Sequence, residues 1–527
     1  MARSTANTVF LRDATGLVRN FSAFDAMNLN IAMCSPLQGI LWAWTYGPAM
    51  FPGANIDLSY LLGIFFVGIG PALVYTLWTL SLPRSGGDYV WFSRGVSASF
   101  GFLISWFLTF VFLTWFALNS ATVGPFFLGS LFVSLGMQNL SNIVSSTAGA
   151  AIIGTIAVVA SIIMITVGVR IYARIYRYLF IIMLAGTLVF AGLLLTTSHQ
   201  TFITGFNQAT AGTTSYDQVL DKARSVGWVG GWTMIPTLFA LVLPFQNYSW
   251  AGFPAYVGGE IKGINKSAWI SIIGGLLVMG VWYVAIGALL YSVVGLDFMH
   301  AMSFLYNNAP NSYPLSYPPY PQNYVFFMTN NQAIITTIAV TWLISGIYLT
   351  PVNLFLATRN VFAWSFDRVA PTRFANVSEK YSSPINAIIT CGIIGELLML
   401  FTVVASYGVM IINTFMIMEI VMTLIGLATM LFPYMKREMY DSFPPIVRKK
   451  LLGVPLMTIS GFILLVFSPF LVYAAYTAPA LGGLNSVSLA FNISMLLVAL
   501  PIYYAAKWYN KTKGIDLGLV FKQVPPE

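Results

Sequence analysis

Residues Gly230 to Lys266 read GGWTMIPTLFALVLPFQNYSWAGFPAYVGGEIKGINK, a stretch that begins as a membrane helix and then stops behaving like one. Trp232 to Leu243 are almost wholly apolar, after which Pro244, Gln246, Asn247, Ser249 and Gly252 arrive at mid-membrane depth. Lipid offers these groups no hydrogen-bond partner, so such a segment is tolerated only where a helix breaks while lining a cavity enclosed by protein. Broken helices whose half-helix ends face a small solute at the midplane characterise secondary transporters. The break therefore sets the expectation for the rest of the chain.

The composition agrees. Of 527 residues 58% are hydrophobic and only 8% charged, against about 25% charged in an ordinary soluble domain. Apolar runs of roughly 20 residues recur throughout, which predicts an all-α integral membrane protein of about twelve spans with no separate aqueous domain. The first run starts only after Asn20 and opens with Asp25, Asn28 and Asn30. That is a poor signal-peptide core, and it is expected to be retained. Cys34 and Cys391 lie in apolar runs and His199 and His300 in expected outer loops. No metal centre, cofactor or catalytic constellation follows from them, which argues against an integral membrane enzyme.

The net charge of +9 raises the question of nucleic acid, and the placement of the charges answers it. With loops assigned alternately to two sides, all of the 25 basic residues except Lys222 and Arg224 fall on one side. That asymmetry is an orientation signal, which predicts a multi-pass protein of the cell membrane with both termini cytoplasmic and no nucleic-acid partner.

The first span repeats the anomaly of the sixth. FSAFDAMNLNIAMCSPLQGILWAW carries Cys34, Ser35, Pro36, Gln38 and Gly39 in its middle, a cluster of breakers and polar groups. A single such proline would only kink a helix. Two breaks at the head of two runs of five spans predict more: five is odd, so the second run is inverted relative to the first, and the broken helices 1 and 6 cross near the midplane. The expected organisation is an N-terminal tail (1–21), a first five-helix repeat (22–196), an outer loop (197–230), an inverted second repeat (231–432), two appended helices (433–507) and a C-terminal tail (508–527).

Pro83, Gly86, Gly87, Tyr89, Arg94, Gly101, Phe102 and Trp106 follow the order of the loop after the second helix in the amino acid, polyamine and organocation (APC) transporter superfamily, which this chain resembles. Glu260 and Lys262 resemble the Gly-Glu-x-Lys element closing the sixth helix of that family. RNVFAWSFDRVAP, from Arg359 to Pro371, and Ser383-Pro384 resemble its loop after the eighth helix and its entry to the ninth. The resemblance covers spans 1 to 10 and implies the APC fold and alternating-access transport of amino acids. Three departures stand out. The Gly-Ser-Gly usual in the first helix is replaced by Cys34 to Gly39, the Gly-Phe-Glu of the sixth by Trp250-Ala251-Gly252, and a lysine some proton-coupled members carry in the fifth by Met183.

At a helix break, free amides suit a carboxylate and free carbonyls an ammonium or Na+, and a zwitterionic amino acid matches both. Cys34, Ser35 and Gln38 in span 1 and Gln246, Asn247, Tyr248 and Ser249 in span 6 are therefore the candidate substrate pocket, with Phe245, Trp250 and Phe253 as a lid. For the coupling ion the candidates divide. Glu396 and Glu419 sit deep in spans 9 and 10 at nearly equal distance from a turn expected near Tyr407, which predicts a proton-sharing pair on adjacent antiparallel helices. Thr350 and Asn353 in span 8 would instead join span 1 carbonyls around Na+. An exchanger of amino acids or polyamines, or a nutrient sensor of the same fold that binds without transporting, would share these features. The outer segment Asn307–Gln322, too rich in Pro, Tyr and Asn for helix, reads as an inert exposed loop, with a partial lid as the alternative.

Overall fold

The computed structural model describes residue 17 and residues 19–405, 414–478 and 485–522. Among the described residues ten helices are long and apolar enough to cross a membrane: Ile56–Ser81, Ala98–Ser134, Thr147–Thr166, Val169–Thr196, Ile264–Val294, Gln332–Phe366, Ile385–Val404, Ile417–Met435, Leu456–Thr477 and Leu489–Thr512. These are spans 2 to 5 and 7 to 12. Spans 1 and 6 are missing from the set because each is divided. Span 1 consists of Ala23–Met33 and Pro36–Met50, and span 6 of Met234–Phe239, Val242–Tyr248 and Phe253–Tyr256. The protein is a multi-pass, all-α membrane protein with the APC fold, two inverted sets of five helices and two further helices at the C-terminal end.

Span 3 is the most enclosed of the continuous helices and spans 4 and 12 face outward most. Span 3 packs on spans 8 and 9, span 8 on span 5, and the appended span 11 on spans 10 and 2. The length of span 3 is accommodated by a π-turn at Val123–Leu128 around Pro125, where the proline withholds a backbone donor and the helix widens by one residue.

Span 6 breaks one turn later than its prolines suggest. Pro244 lies in the first turn of Val242–Tyr248, where the missing N–H costs little. It cannot bond the Ala240 carbonyl, which takes the Leu243 amide at 2.9 Å instead, so the proline produces only the step at Ala240–Leu241. The wider opening falls at Ser249–Gly252. Gly252 is required there, because a Cβ would stand 2.7 Å from the Tyr75 ring.

The outer segments are more ordered than their composition suggests. The 197–230 region contains helices His199–Ala209 and Tyr216–Ser225, anchored by Tyr216, whose hydroxyl donates to the Val294 carbonyl at 3.1 Å. The Asn307–Gln322 segment is exposed at Asn307, Asn308, Pro310, Asn311 and Ser316, as expected, but its end is not. Tyr320 and Gln322 are buried, and Ser303 and Asn307 donate to the Thr45 carbonyl in the second half of span 1 at 2.7 and 3.1 Å. The turn expected near Tyr407 lies outside the described residues.

Candidate functional site

The first half of span 1 starts with a capping box, the Asp25 amide donating to the Ser22 hydroxyl and the Ser22 amide to the Asp25 carboxylate, both at 3.1 Å. It ends at Cys34. Ser35 takes a left-handed conformation (φ 59°, ψ 63°) and Pro36 opens the second half, a position suited to a residue with no N–H to place. Two consequences follow from this geometry. The Leu37 and Gln38 amides, the first that the new half can offer, take no backbone acceptor among the described residues, and the Met33 carbonyl takes no backbone donor. Two amides thus stand open at one point in the middle of the bundle, beside a Met33 carbonyl whose one contact among the described residues is the Ser35 hydroxyl at 3.5 Å.

Asn247 ties the two broken helices together. It accepts from the Tyr60 hydroxyl at 2.6 Å, and its amide donates to the Cys34 carbonyl at 3.3 Å. The Tyr283 hydroxyl lies within hydrogen-bond distance of two carbonyls at the break, 2.6 Å from Cys34 and 2.8 Å from Ser35. This crossing is possible because residue 39 is glycine. A Cβ there would stand 1.9 Å from the Tyr283 hydroxyl and 2.8 Å from the Asn247 amide nitrogen.

Beside the crossing lies a cavity of about 80 Å³, counted as space in which the centre of a water molecule fits. One water needs roughly 10–15 Å³ on that measure, so a small solute has room. Its lining runs from Met33 to Met50 on span 1 and from Val242 to Trp250 on span 6. Trp42, Trp115 and Trp250 supply aromatic walls, and none of the lining residues is Asp, Glu, Lys, Arg or His. Gln38 donates to Asn119 at 2.8 Å, yet among the described residues its Oε1, the Oε1 of Gln246, the Oδ1 of Asn353 and the indole nitrogen of Trp42 are buried without a hydrogen-bond partner. Buried polar atoms are nearly always bonded. Four orphans around one cavity are bonding capacity for whatever enters it.

Of the residues nominated from sequence, Ser35, Gln38, Gln246 and Asn247 line this cavity. Cys34 contributes its carbonyl while its thiol is buried elsewhere. Tyr248 and Ser249 do not reach it. The Tyr248 hydroxyl donates to the Tyr60 carbonyl at 3.2 Å, and Ser249 borders a separate small void with Tyr75 and Tyr256. Helical geometry explains the division: residues 246, 247 and 250 share one face, and 248 and 249 point to either side of it. Trp250 lines the cavity as a lid residue should, whereas Phe245 is buried outside it, and the Phe253 side chain lies outside what is described.

The ion candidates part company as well. Asn353 lines the cavity, but the Thr350 hydroxyl donates to the Gly346 carbonyl at 2.8 Å, and Thr350 borders spans 3 and 4 instead. The expected glutamate pair is not formed. Glu396 accepts from Thr155 of span 4 at 2.7 Å, span 9 packing on spans 3, 4 and 8, whereas span 10 packs chiefly on span 11. Equal depth on consecutive helices did not make them neighbours. Glu419 is fully buried, and among the described residues neither carboxylate oxygen has a partner. Sequence reasoning passed over Asn119, Tyr60, Trp42 and Trp115; a lone asparagine in the apolar middle of span 3 was the one available signal.

Away from the cavity, at the ends of the spans carrying the basic residues (the basic face), charges are paired. Arg359 embraces Glu260 in a bidentate contact, Nε to Oε1 at 2.8 Å and Nη2 to Oε2 at 3.0 Å, with both side chains at most 1% exposed. Arg94 meets Asp367 at 2.6 and 2.9 Å, and Arg177 meets Asp25 at 2.7 Å. Phe21 and Lys262 complete the closure, the Phe21 amide donating to the Glu260 carbonyl and the Lys262 amide to the Phe21 carbonyl. The cavity is therefore shut toward the basic face. Among the described residues no cluster of His, Cys, Asp and Glu is placed to hold a metal ion.

A family model described as "Amino acid permease" matches residues 44–501 of the chain. None of the curated proteins compared with it matches.

Proposed function

Because this chain belongs to the amino acid permease family, we propose that it is a secondary active transporter that carries neutral amino acids across the cell membrane by alternating access, with both termini cytoplasmic. One observation carries the reading: main-chain amides without a backbone acceptor, and a carbonyl without a backbone donor, meet at the crossing of two broken helices, beside a cavity holding unpartnered amide oxygens and lined by no charged side chain. The Leu37 and Gln38 amides would receive the substrate carboxylate, and the Met33 carbonyl with the Gln246 and Asn353 oxygens its ammonium. Ser35 and Asn247 would position it. A polyamine fits poorly, since no carboxylate lines the cavity to balance several positive charges.

In this reading residues 22–196 and 231–432 rock against each other, 197–230 and the appended 433–507 remaining outside the moving pair. A proton or Na+ gradient drives uptake. Asn353, beside the span 1 break, is the Na+ candidate, and the fully buried Glu419 the proton candidate. Thr350 is bonded to the Gly346 carbonyl and has less to offer an ion, while Glu396, bonded among the described residues to Thr155 through Oε1 only, is a second proton candidate.

The test is uptake of a labelled amino acid mixture into proteoliposomes under a pH gradient and, separately, a Na+ gradient. Accumulation of neutral amino acids under one gradient names substrate and ion. Gln38→Leu, which removes an orphan acceptor and leaves Asn119 unbonded, is expected to raise KM roughly 10-fold or more. Binding without uptake, even into vesicles preloaded with amino acids, would replace transport by sensing. Retained pH-driven uptake in Glu419→Gln would remove that residue from the proton route.

A further inference from the structure

Between the second and third spans lies the short helix Gly87–Gly95, and Asp88 in its first turn is fully buried. Two other elements converge on its carboxyl. The Tyr75 hydroxyl of span 2 donates to Oδ2 at 3.2 Å, and the Tyr256 hydroxyl, from the last turn of span 6, donates to the same oxygen. Oδ1 accepts no hydrogen bond from another residue. The short helix is also stitched to span 6 through its backbone, the Gly86 amide donating to the Tyr256 carbonyl at 3.1 Å. Gly87, at φ +42°, lets the Tyr256 ring approach to 3.1 Å of where a Cβ would stand.

The charged groups nearby are committed elsewhere. On its own helix Arg94 pairs with Asp367, and Tyr89 packs toward that pair. From span 8 Arg359 is held by Glu260 at the end of span 6. Span 3 presents no ionisable side chain between Ala98 and Thr122. Among the described residues Asp88 therefore faces two tyrosines and no cation. A void of about 10 Å³, roughly one water, separates this latch from the central cavity, bordered by Tyr75, Tyr256, Trp250 and Ser249, whose hydroxyl is unpartnered.

We propose that Asp88 binds a proton while the basic face is closed and releases it to the solution on that side when the face opens. The inference rests on the alternating-access reading, since the end of span 6 must leave the short helix for the cavity to reach that solution. A fully buried carboxyl with one bare oxygen and no counter-charge beside it is more stable neutral than charged. Burial raises Asp88 from its ordinary 3.8 to about 6, the tyrosine hydrogen bonds offsetting part of the rise. The sign then follows from linkage. The closed state binds the proton more tightly than an open state in which Asp88 is hydrated, so protonation favours closure. As pH rises from about 4 to about 6 that preference is lost, and above 6 it is gone. The reaction balances as Asp88–COOH giving Asp88–COO⁻ and a proton to water on the basic side.

The test reads accessibility and needs no substrate. In vesicles, the thiol introduced by Ser249→Cys is labelled from the basic face with a membrane-impermeant maleimide between pH 4.5 and 7.5. Rates are normalised to the unfolded chain at each pH, with the unsubstituted chain giving the background of Cys34 and Cys391. Labelling is expected to rise roughly 25-fold, mostly below pH 6.5. With Asp88→Asn added, it is expected to stay low and flat, because the amide cannot ionise. Tyr256→Phe, which withdraws a donor from the carboxylate, is expected to extend the rise to higher pH, and it decides the matter should Asp88→Asn not fold. A flat profile in the parent, an unchanged rise in Asp88→Asn or an unshifted profile in Tyr256→Phe would overturn the proposal. Intact uptake with flat labelling would break the latch alone, and titrating labelling without uptake would break the transport reading alone.

Discussion

The basic face and the central cavity solve the problem of polarity inside a membrane in opposite ways. At the basic face Glu260, Arg359, Arg94 and Asp367 are buried and bonded in two pairs, so each of these buried charges has its counter-charge within the chain. At the crossing of spans 1 and 6 the lining carries no Asp, Glu, Lys, Arg or His, and Gln38, Gln246 and Asn353 keep buried oxygens unbonded. The difference assigns roles. A buried charge is tolerable only with its partner in place, so a paired cluster acts as a clamp. A buried amide oxygen without a partner costs about 1–3 kcal/mol, a sum that a solute offering N–H groups returns on binding.

The largest test of the contrast is Arg359→Ala. It would strand Glu260, fully buried, with no counter-charge, and a broken buried pair typically costs about 3–5 kcal/mol. Unfolding of the purified protein in detergent should show a loss of that size. A loss under about 1 kcal/mol would mean that the pair is not a clamp. Gly39→Ala probes the other region. The added methyl meets the Tyr283 hydroxyl and the Asn247 amide, and overpacking of that kind costs about 1–3 kcal/mol. Because the displaced groups hold the break of span 1, amino acid binding by calorimetry is expected to fall by more than the stability does. Wild-type affinity in this variant would show that the crossing is not where substrate sits.

What could be read from the sequence follows the same division. The breaks were legible because prolines, glycines and amides are conspicuous in apolar runs, as at Cys34 to Gly39 and Pro244 to Gly252. The paired charges were legible in part, since Glu260, Arg359, Arg94 and Asp367 all stand in the stretches that resemble the APC loops, though nothing in one sequence says which acid meets which base. The walls of the cavity were not legible. Trp42, Trp115 and Tyr60 sit in apolar helices where aromatic residues are common, and only the packing of spans 1, 2 and 3 turns them inward. Asn119 meets Gln38 across 81 residues of chain, a distance over which helical periodicity carries no information. The Glu396–Glu419 expectation failed for the same reason, because depth along a helix can be counted from the sequence but the direction it faces among twelve helices cannot.

Arg177→Gln is the smallest change and sharpens the comparison within the basic face itself. Arg177 meets Asp25 at 2.7 Å, as short a contact as those of the buried pairs, but its side chain is 49% exposed while that of Asp25 is 6% exposed. Water screens the guanidinium, and Asp25 keeps the Ser22 amide and hydroxyl when it is removed. A pair of this kind is worth about 0.2–1 kcal/mol and weakens with salt. The expected result is a stability change within that range which shrinks between low and high ionic strength, beside an Arg359→Ala loss that salt hardly alters. If both variants lost the same stability with the same salt dependence, distance alone would govern these contacts, and the argument that burial separates a clamp from a surface pair would fall.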